Sequence, residues 1–522
     1  MAAEMSSAAG WLLRGGGKGS ELSGRLESRI RDGLVIPAED GDAIAFLKKL
    51  AGDGDQDARC ILGTVYEYGL GAEQSLPEAL CWYRAAADAG DGFAREAAGD
   101  ICLCLGERQS NPGSAGYLEL GAGYGNAGCL IRLGLKHELE GTEESLKKAF
   151  GLYMKAADAG DAVAMRCVGN LYEYGKGTEL SLEKAAEYYG KSAAGGYYAA
   201  QCDLGYMYEH GRGTEQSYEK AAELYSASAD RGYPRAKNLL GLLYQRGLGV
   251  EQSYEKAFLL YEEAAAGGDA DAANNLGLLY EYGCGTEQSY EKAIRWYGTA
   301  MAAGIPKAAY NLGLMYRDGN GVDQSYEKAL KFLTDAAMEG DSASKYAIGS
   351  MYEKGEGVEQ SYEKAAEWYE AAAEDGDADA CFGLGVLYDD GNGVPQSYEK
   401  AAEWYRKGAA LGDIRCQNNL GLMYENGEGV NQSYKEAARW YKMSADSDNP
   451  VAQYNLARLL YSGSGVPQSF GEAIDLYKKA FEGGHASAAH QIGVMYENGE
   501  GVNQSYEEEE KWYRKGAALG DS

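Results

Sequence analysis

Few side chains of this sequence are placed for metal binding or catalysis. His485 and His490 lie five residues apart, and no third ligand stands beside them. Zinc needs a convergent set of ligands, so this pair does not predict a zinc site. Cys102 and Cys104 are equally weak as a metal or redox pair, and we interpret them as small buried hydrophobes. We predict no metal, no cofactor and no catalytic residue.

Three aspartates resemble the start of a calcium loop. Asp375, Asp377 and Asp379 have the right spacing, but position six of such a loop should be glycine and is Ala380. Position twelve should be glutamate and is Val386. We therefore interpret the segment as a turn followed by the acidic first turn of a helix. The recurring Gly-x-Gly turns lack the lysine of a phosphate loop and do not follow a strand.

The elements that would position any site come from a sequence repeat of 36 residues. We call the glycine of its motif Leu-Gly-x-Met/Leu-Tyr the anchor. Less regular copies have their anchors at Gly63, Gly99 and Gly134, which makes about thirteen copies in all. The ten regular anchors, each 36 residues after the last, are Gly169, Gly205, Gly241, Gly277, Gly313, Gly349, Gly385, Gly421, Ala457 and Gly493.

Each repeat is predicted to form a helix, a glycine turn and a second helix. In the repeat of Gly277, the first helix spans about residues 270–282 and ends at Gly283. Ser289 is placed to cap the second helix. The predicted core residues are Ala272, Leu276, Leu279 and Tyr280 on the first helix, with Ala293, Trp296 and Tyr297 on the second.

A single helix pair cannot bury its apolar face, so the repeats must stack into a solenoid. The predicted fold is all-α, an αα-superhelix of about thirteen 36-residue helix-turn-helix repeats. We divide the chain into a disordered N-terminal extension (1–36), an N-terminal half-repeat with the first repeats (37–105), a glycine-rich degenerate repeat that serves as a hinge (106–128), and a regular solenoid (129–522). Glu507–Glu510 mark its C-terminal cap, because charge suits a last helix that faces water.

The repeat motif resembles the Sel-one-like repeat (SLR) family, which is related to tetratricopeptide repeats. Residues 358–369 and 394–405 match its glycine, serine, tyrosine and tryptophan pattern closely. The resemblance implies an αα-superhelix that acts as an adaptor or scaffold for protein complexes, often in signalling. A secreted branch of the family pairs two cysteines in each repeat, whereas this chain has single cysteines at shifting positions, namely Cys167, Cys202, Cys284, Cys381 and Cys416.

One row of first-helix positions is a candidate partner-binding surface. This front row, three residues before each anchor, points away from the predicted core and varies between repeats. By resemblance to tetratricopeptide superhelices it would line the concave groove, where aromatic rings could hold apolar side chains and asparagines could bond a peptide backbone. The alternative is that the row packs between adjacent first helices. The predicted groove residues are Asn238, Asn274, Tyr310, Tyr346, Phe382, Asn418 and Tyr454.

The charge of the chain limits its partners. A formal net charge of −31 disfavours nucleic acid and would attract basic proteins or peptides, although solubility alone is the simpler explanation of such a charge. No stretch is long and apolar enough to span a membrane, and the N-terminus lacks the pattern of a signal peptide. We therefore expect an intracellular, cytoplasmic protein with reduced cysteines.

The sequence leaves three hypotheses about function. The leading hypothesis is an interaction scaffold, not an enzyme, whose concave groove binds a protein or peptide segment. A hydrolase like the secreted cysteine-rich branch would need a nucleophile beside a base, and the sequence offers no such pair. A self-assembling structural protein is the third hypothesis, against which the charged last helix argues.

Overall fold

The computed structural model describes residues 19–32, 34, 36–37, 39–107 and 113–520, and within them every regular element is an α-helix. The chain divides into two compact units that meet in sequence between Gly267 and Gly268. Each unit is a stack of helix pairs, so the predicted all-α repeat solenoid is confirmed.

The helices of the first unit are α1 Gly19–Arg31, α2 Asp40–Gly52, α3 Gln56–Tyr68, α4 Leu76–Ala87, α5 Gly92–Gly106, α6 Ser114–Gly123, α7 Ala127–Glu140, α8 Glu143–Asp158, α9 Ala162–Tyr174, α10 Leu182–Ala194, α11 Tyr198–His210, α12 Tyr218–Ala229, α13 Pro234–Arg246 and α14 Tyr254–Ala266.

The helices of the second unit are α15 Ala270–Tyr282, α16 Tyr290–Ala302, α17 Pro306–Asp318, α18 Tyr326–Met338, α19 Ser342–Lys354, α20 Tyr362–Glu374, α21 Ala378–Asp390, α22 Tyr398–Ala410, α23 Ile414–Asn426, α24 Tyr434–Ala445, α25 Pro450–Ser462, α26 Phe470–Glu482, α27 Ser487–Asn498 and α28 Tyr506–Ala518.

From α3 onward the described helices form thirteen pairs, in which a first helix packs on its own second helix. Within a unit, each second helix also packs on the next first helix. The repeat of α15 and α16 shows why these helices begin and end where they do. Gly283 ends α15 with φ +68°, and Ser289 caps α16 by accepting a hydrogen bond from the N–H of Lys292. Gln288 closes the turn by donating to the carbonyl of Glu281 at 2.8 Å.

The anchor glycine is required by close packing between the two helices of a repeat. A Cβ on Gly277 would lie 2.5 Å from the ring of the buried Tyr297. That tyrosine donates a hydrogen bond from its hydroxyl to Glu281 at 2.5 Å, which satisfies its polar atom. In the same repeat, the ammonium of Lys292 lies 4.9 Å from the ring centroid of the buried Tyr280. The predicted bounds of α15 and its core face are therefore confirmed.

The N-terminal segment differs from the sequence expectation. Residues 1–18 lie outside the described residues, but α1 is a helix where disorder was expected, and its Leu22 and Leu26 are fully buried. Their spacing places both on one face of the helix, and that face packs on α3. Arg25 and Arg29 of α1 form ion pairs with Asp91 and Asp55. A segment that lacks the repeat pattern has gained order from tertiary contacts.

The repeat that contains Gly99 forms the helix pair α5–α6, although the glycine-rich sequence of α6 is a poor helix former. Within the predicted 106–128 segment, α6 is present and residues 108–112 lie outside the described part. Gly121 of α6 leaves room for the buried side chains of Cys102 and Cys129, since a Cβ there would overlap both. Close packing therefore accounts for one of these glycines. The role of the segment as a hinge stays a prediction.

Candidate functional site

The front row of the second unit combines partly exposed aromatic rings with buried amides. Tyr310, Tyr346, Phe382 and Tyr454 are partly buried, whereas Asn274 and Asn418 are buried. In the first unit, Asn238 is buried as well. The aromatic members keep some of their surface available, and the asparagines keep little.

The aromatic rings pack with one side against the second helix of their own repeat. Tyr346 stacks on Tyr369 with ring centroids 5.3 Å apart, and Tyr454 lies 5.5 Å from Tyr477 with the two rings tilted by 56°. Phe382 lies 6.2 Å from Tyr405. Because each inner tyrosine is buried, this packing holds the outer ring in a defined orientation. The row is therefore partly a packing row and partly a surface.

The asparagines bridge neighbouring repeats. Asn311 donates its side-chain N–H to the side-chain oxygen of Asn274 at 3.0 Å, and Asn455 donates to Asn418 at the same distance. Each bond joins a front-row residue to the residue two before the next anchor, which we call the side row. The amides of Asn274 and Asn418 are thus engaged in holding adjacent first helices in register.

Carboxylates act electrostatically on the tyrosines Tyr310 and Tyr346 of the row, and they are not among the residues predicted for the site. Asp341 and Asp377 cap first helices, because each accepts a hydrogen bond from a backbone N–H at 2.8 Å. Together with Asp379 they act electrostatically on the hydroxyl of Tyr310. The signal in the sequence was their position eight residues before an anchor, since a capping residue there lies at the same end of the first helix as the front row.

The charge of Asp377 is poorly compensated. Burial raises its pKa, the N–H of Ala380 lowers it, and the neighbouring carboxylate of Asp379 raises it again, leaving the pKa above its usual value. Asp379 itself pairs with Arg415 at 2.5 Å, and that guanidinium also covers the ring of Phe382 at 4.3 Å. A cation already lies over one ring of the row, in contact with one of these carboxylates.

An apolar row runs beside the front row, one residue after each anchor. Leu278 and Leu314 are partly exposed, and Leu422 is 40% exposed. Leu242 of the first unit is partly exposed too. Apolar surface is therefore available along these first helices next to the aromatic rings.

The side chains weighed for chemistry in the sequence are engaged elsewhere. Asp375 pairs with Lys345, Asp377 caps a helix and Asp379 pairs with Arg415, so the three carboxylates do not converge. In the part of the chain that the structure describes, no cluster of three or more histidine, cysteine or acidic side chains could hold a metal ion.

The two histidines do not share a site, and neither do the two cysteines. His485 stacks on Tyr454 at 4.3 Å, whereas His490 stacks on Tyr513 at 5.3 Å. Cys102 is buried and Cys104 is exposed, and burial raises the pKa of Cys102 to about 11. That thiol stays protonated at neutral pH and is a poor nucleophile.

Comparison with known proteins identifies the repeat. A family model described as Sel1 repeat matches twelve segments, at residues 56–91, 127–161, 162–197, 199–233, 234–269, 270–304, 306–341, 342–377, 378–413, 414–449, 450–485 and 486–521. The chain belongs to the Sel1 repeat family. These Sel1 repeats cover most of the chain and leave residues 92–126 unmatched, where the helix pair α5–α6 has the glycine-rich sequence. None of the described helices has the length and apolar character needed to cross a bilayer.

Solved structures of other Sel1 repeat proteins are similar to this one. The crystal structure of c5321, a protective antigen of uropathogenic Escherichia coli strains with an SLR fold, is 27% identical. The match covers 91% of this chain and 93% of that one, with a TM-score of 0.51. A Sel1 repeat protein from Oxalobacter formigenes is 31% identical over 47% of this chain and 99% of its own, with a TM-score of 0.43. Comparison with curated proteins gives no match. Family and fold together support a repeat scaffold.

Proposed function

We propose that this protein is an interaction scaffold whose first-helix face in residues 268–522 binds a basic segment of a partner protein. The observation that carries the proposal is the row of partly exposed rings at Tyr310, Tyr346 and Phe382. Carboxylates act electrostatically on the two tyrosines, and Asp379 pairs with the arginine that covers the phenylalanine ring. Aromatic faces attract cations, and carboxylates pair with them, so Lys and Arg side chains suit this surface.

Apolar contact would supply the rest of the binding energy. The leucines one residue after each anchor lie beside the rings and are partly exposed. A segment that alternates basic and apolar side chains would contact both rows. Aromatic anchors commonly dominate the energy of such interfaces, so we expect the three rings to matter most.

The asparagines are proposed to act indirectly. Asn274 and Asn418 are bonded across the repeats, and so they hold the first helices at a fixed register in the free protein. A surface that is ordered before binding loses less entropy when the partner arrives. In this proposal the predicted groove residues divide into aromatic contact residues and asparagine positioning residues.

The experiment is a binding screen against an array of short peptides of random sequence, using the full chain. We expect wild type to prefer peptides that carry Lys or Arg together with apolar residues. The triple variant Tyr310→Ala/Tyr346→Ala/Phe382→Ala should lose about tenfold or more in affinity for them. Basic peptides that bind the triple variant as tightly as wild type would contradict the aromatic row.

A control variant removes three exposed apolar side chains from second helices, each more exposed than the rings of the front row. Met338, Tyr398 and Tyr434 are 81%, 38% and 41% exposed. Their triple alanine variant should bind the selected peptides like wild type. Circular dichroism on both triple variants checks that the helices remain, so a loss of binding can be assigned to the surface.

A further inference from the structure

The first unit contains a polar cavity on its first helices that none of the observations above explains. Its volume is about 390 Å³, and four cationic side chains line it, in a chain whose net charge is −31. These four residues are Arg166, Lys176, Arg212 and Arg235.

The repeat brings these cations together from three successive first helices. Arg166 is the front-row residue of α9, and Arg235 lies in the first turn of α13. Lys176 and Arg212 each follow an anchor by seven residues, in the turns after α9 and α11. The same turn position in the second unit has no cation; it holds Cys284, Asn320, Glu356, Asn392, Glu428, Ser464 and Glu500.

The carboxylates in the cavity pair with only some of the N–H groups of these cations. Arg166 donates to Asp203 at 2.5 Å, and Arg212 lies 3.0 Å from Glu173. Glu173 already accepts a hydrogen bond from the hydroxyl of Tyr189. The third carboxylate, Glu138, accepts one from the hydroxyl of Tyr153 at 3.1 Å.

N–H donors of the arginines and the lysine therefore remain available for a ligand. Each guanidinium has five N–H donors, far more than the oxygens of these carboxylates use. Arg235 reaches Asp203 only at 3.5 Å, the outer limit of a hydrogen bond, and its side chain is 49% exposed. The ammonium of Lys176 lies 5.6 Å from the ring centroid of Tyr174, at the edge of the cavity.

We propose that this cavity binds a carboxylate of a partner, which Arg235, Arg212 and Lys176 contact at the open side of the Arg166–Asp203 pair. Guanidinium groups bind planar carboxylates through two parallel hydrogen bonds. A polyanion such as RNA is disfavoured, because the chain has a net charge of −31 and the cavity wall carries carboxylates of its own. The carboxylate is either the C-terminus of a chain or the side chain of an acidic residue.

The test uses the full chain and an immobilised array with three classes of short peptide. One class has a free C-terminus and no acidic side chain, a second is amidated and contains Asp or Glu, and a third is amidated without any carboxylate. We expect one of the first two classes to bind above the third, with an affinity that falls as salt rises. The class that binds distinguishes the two sources of carboxylate.

Two variants locate the binding. Arg235→Gln removes a half-exposed cation and should weaken binding about tenfold. The double variant Lys176→Gln/Arg212→Gln removes the two turn cations that are proposed to contact the carboxylate; because Lys176 is exposed and Arg212 is partly exposed, it should fold normally and lose binding. Arg246→Gln, which removes an exposed arginine outside the cavity, is the matched control and should bind like wild type.

Three outcomes would overturn the proposal. The first is equal binding of all three peptide classes. The second is carboxylate binding that both the Arg235→Gln and the double variant retain in full. The third is displacement of the peptide by an RNA oligonucleotide at lower concentration than by free peptide, which would assign the cavity to nucleic acid instead.

Discussion

The two units use the same repeat register for different chemistry. In the first unit, a front-row residue is joined to the next side-row residue by the Arg166–Asp203 ion pair. In the second unit, the equivalent positions hold the Asn274–Asn311 amide pair. Both pairs are 37 residues apart in sequence, so the backbone presents the two side chains to each other in the same way. The fold therefore tolerates a change of chemistry at this register without a change of architecture.

The capping aspartates show a second difference between the units. Asp55 and Asp377 both lie eight residues before an anchor, and both cap a first helix. Arg29 of α1 pairs with Asp55, whereas Asp377 has the carboxylate of Asp379 as a neighbour. Residues outside the repeat motif thus shift the pKa of the aspartate at this motif position in opposite directions in the two units. Partner recognition is expected to follow these local differences and not the repeat itself.

The largest expected effect comes from breaking the two register pairs. Asp203→Ala leaves the partly buried guanidinium of Arg166 without its partner and should lower the free energy of unfolding by about 2–3 kcal/mol. Asn311→Ala leaves only the neutral amide of Asn274 and should cost about 1–2 kcal/mol. Hydrogen exchange measured by mass spectrometry would assign each loss to its own repeats. Equal losses would show that charge has no special role in the first unit.

The next effect tests a packing rule that the two units share. A Cβ on Gly408 would overlap the sulfur of Cys416 and lie 3.1 Å from the Cβ of Cys381, and a Cβ on Gly121 would overlap Cys129 and Cys102. Gly408→Ala and Gly121→Ala should each destabilise the protein by about 1–3 kcal/mol in urea unfolding.

Adding Cys416→Ala or Cys129→Ala should restore stability in each case. Alanine at both positions of this contact already occurs in the repeats, as with the buried Ala300 and Ala308. A double variant that remains as unstable as the single glycine variant would show that something other than the sulfur obstructs the site. Comparison of Gly121→Ala with Gly121→Ala/Cys129→Ala also measures how well the glycine-rich helix α6 is packed.

Smaller effects are expected at the buried tyrosines. Tyr297 donates to the carboxylate of Glu281, whereas the equivalent Tyr261 of the first unit donates to the neutral Gln245. Tyr297→Phe should cost about 1.5 kcal/mol and Tyr261→Phe about 1 kcal/mol, because hydrogen bonds to charged groups are stronger. Thermal unfolding of the two variants checks the order. A larger loss at Tyr261 would mean that packing, and not the acceptor charge, decides the cost.

The smallest expected effect is the change in the free energy of unfolding when a capping aspartate is replaced by asparagine, and it differs in sign between the two units. Burial raises the pKa of Asp55, but the hydrogen bonds from Arg29 and from the N–H of Ala58 outweigh it and leave the pKa below its usual value. Asp55→Asn should therefore cost less than about 1 kcal/mol at neutral pH. Because the folded-state pKa is depressed, this cost should disappear as the pH falls below the ordinary aspartate value of about 3.9.

Asp377→Asn should instead be neutral or slightly stabilising at neutral pH, since asparagine can also cap a helix. The pKa of Asp377 is raised, so the ionised form is penalised in the folded state and the penalty is relieved as the pH falls through that pKa. Urea unfolding at several pH values checks both variants. The same sign for the two substitutions would remove the electrostatic contrast between the units.

Most of the fold could be predicted because the repeat carries local signals at every boundary. Gly283 and the apolar spacing predict the bounds of α15, and the hydrogen bond of Ser289 confirms the predicted cap of α16. The N-terminal helix was missed, because Leu22 and Leu26 carry no repeat motif and become buried only against α3. Glycine content also suggested a marginal helix at α6, although its Gly121 is required by two cysteines.

The partial exposure of the candidate surface could be predicted from the sequence, whereas its contacts could not, and its role in partner binding stays a prediction. The front-row spacing identified Tyr310, Tyr346 and Phe382, and the structure leaves these rings partly exposed. Spacing within one repeat cannot reveal that Asn274 bonds Asn311, since that contact joins two first helices. The cationic cavity was missed for the same reason, because its four cations come from three different repeats.

The period, the helix ends and the core face of the repeat follow from the amino-acid sequence, because they depend on residues that are close in the chain. The way in which one repeat meets the next follows only from the folded molecule. The Arg166–Asp203 pair, the Asn274–Asn311 pair and the burial of α1 all depend on contacts between helices, and the energy of such contacts depends on partners that local sequence does not specify.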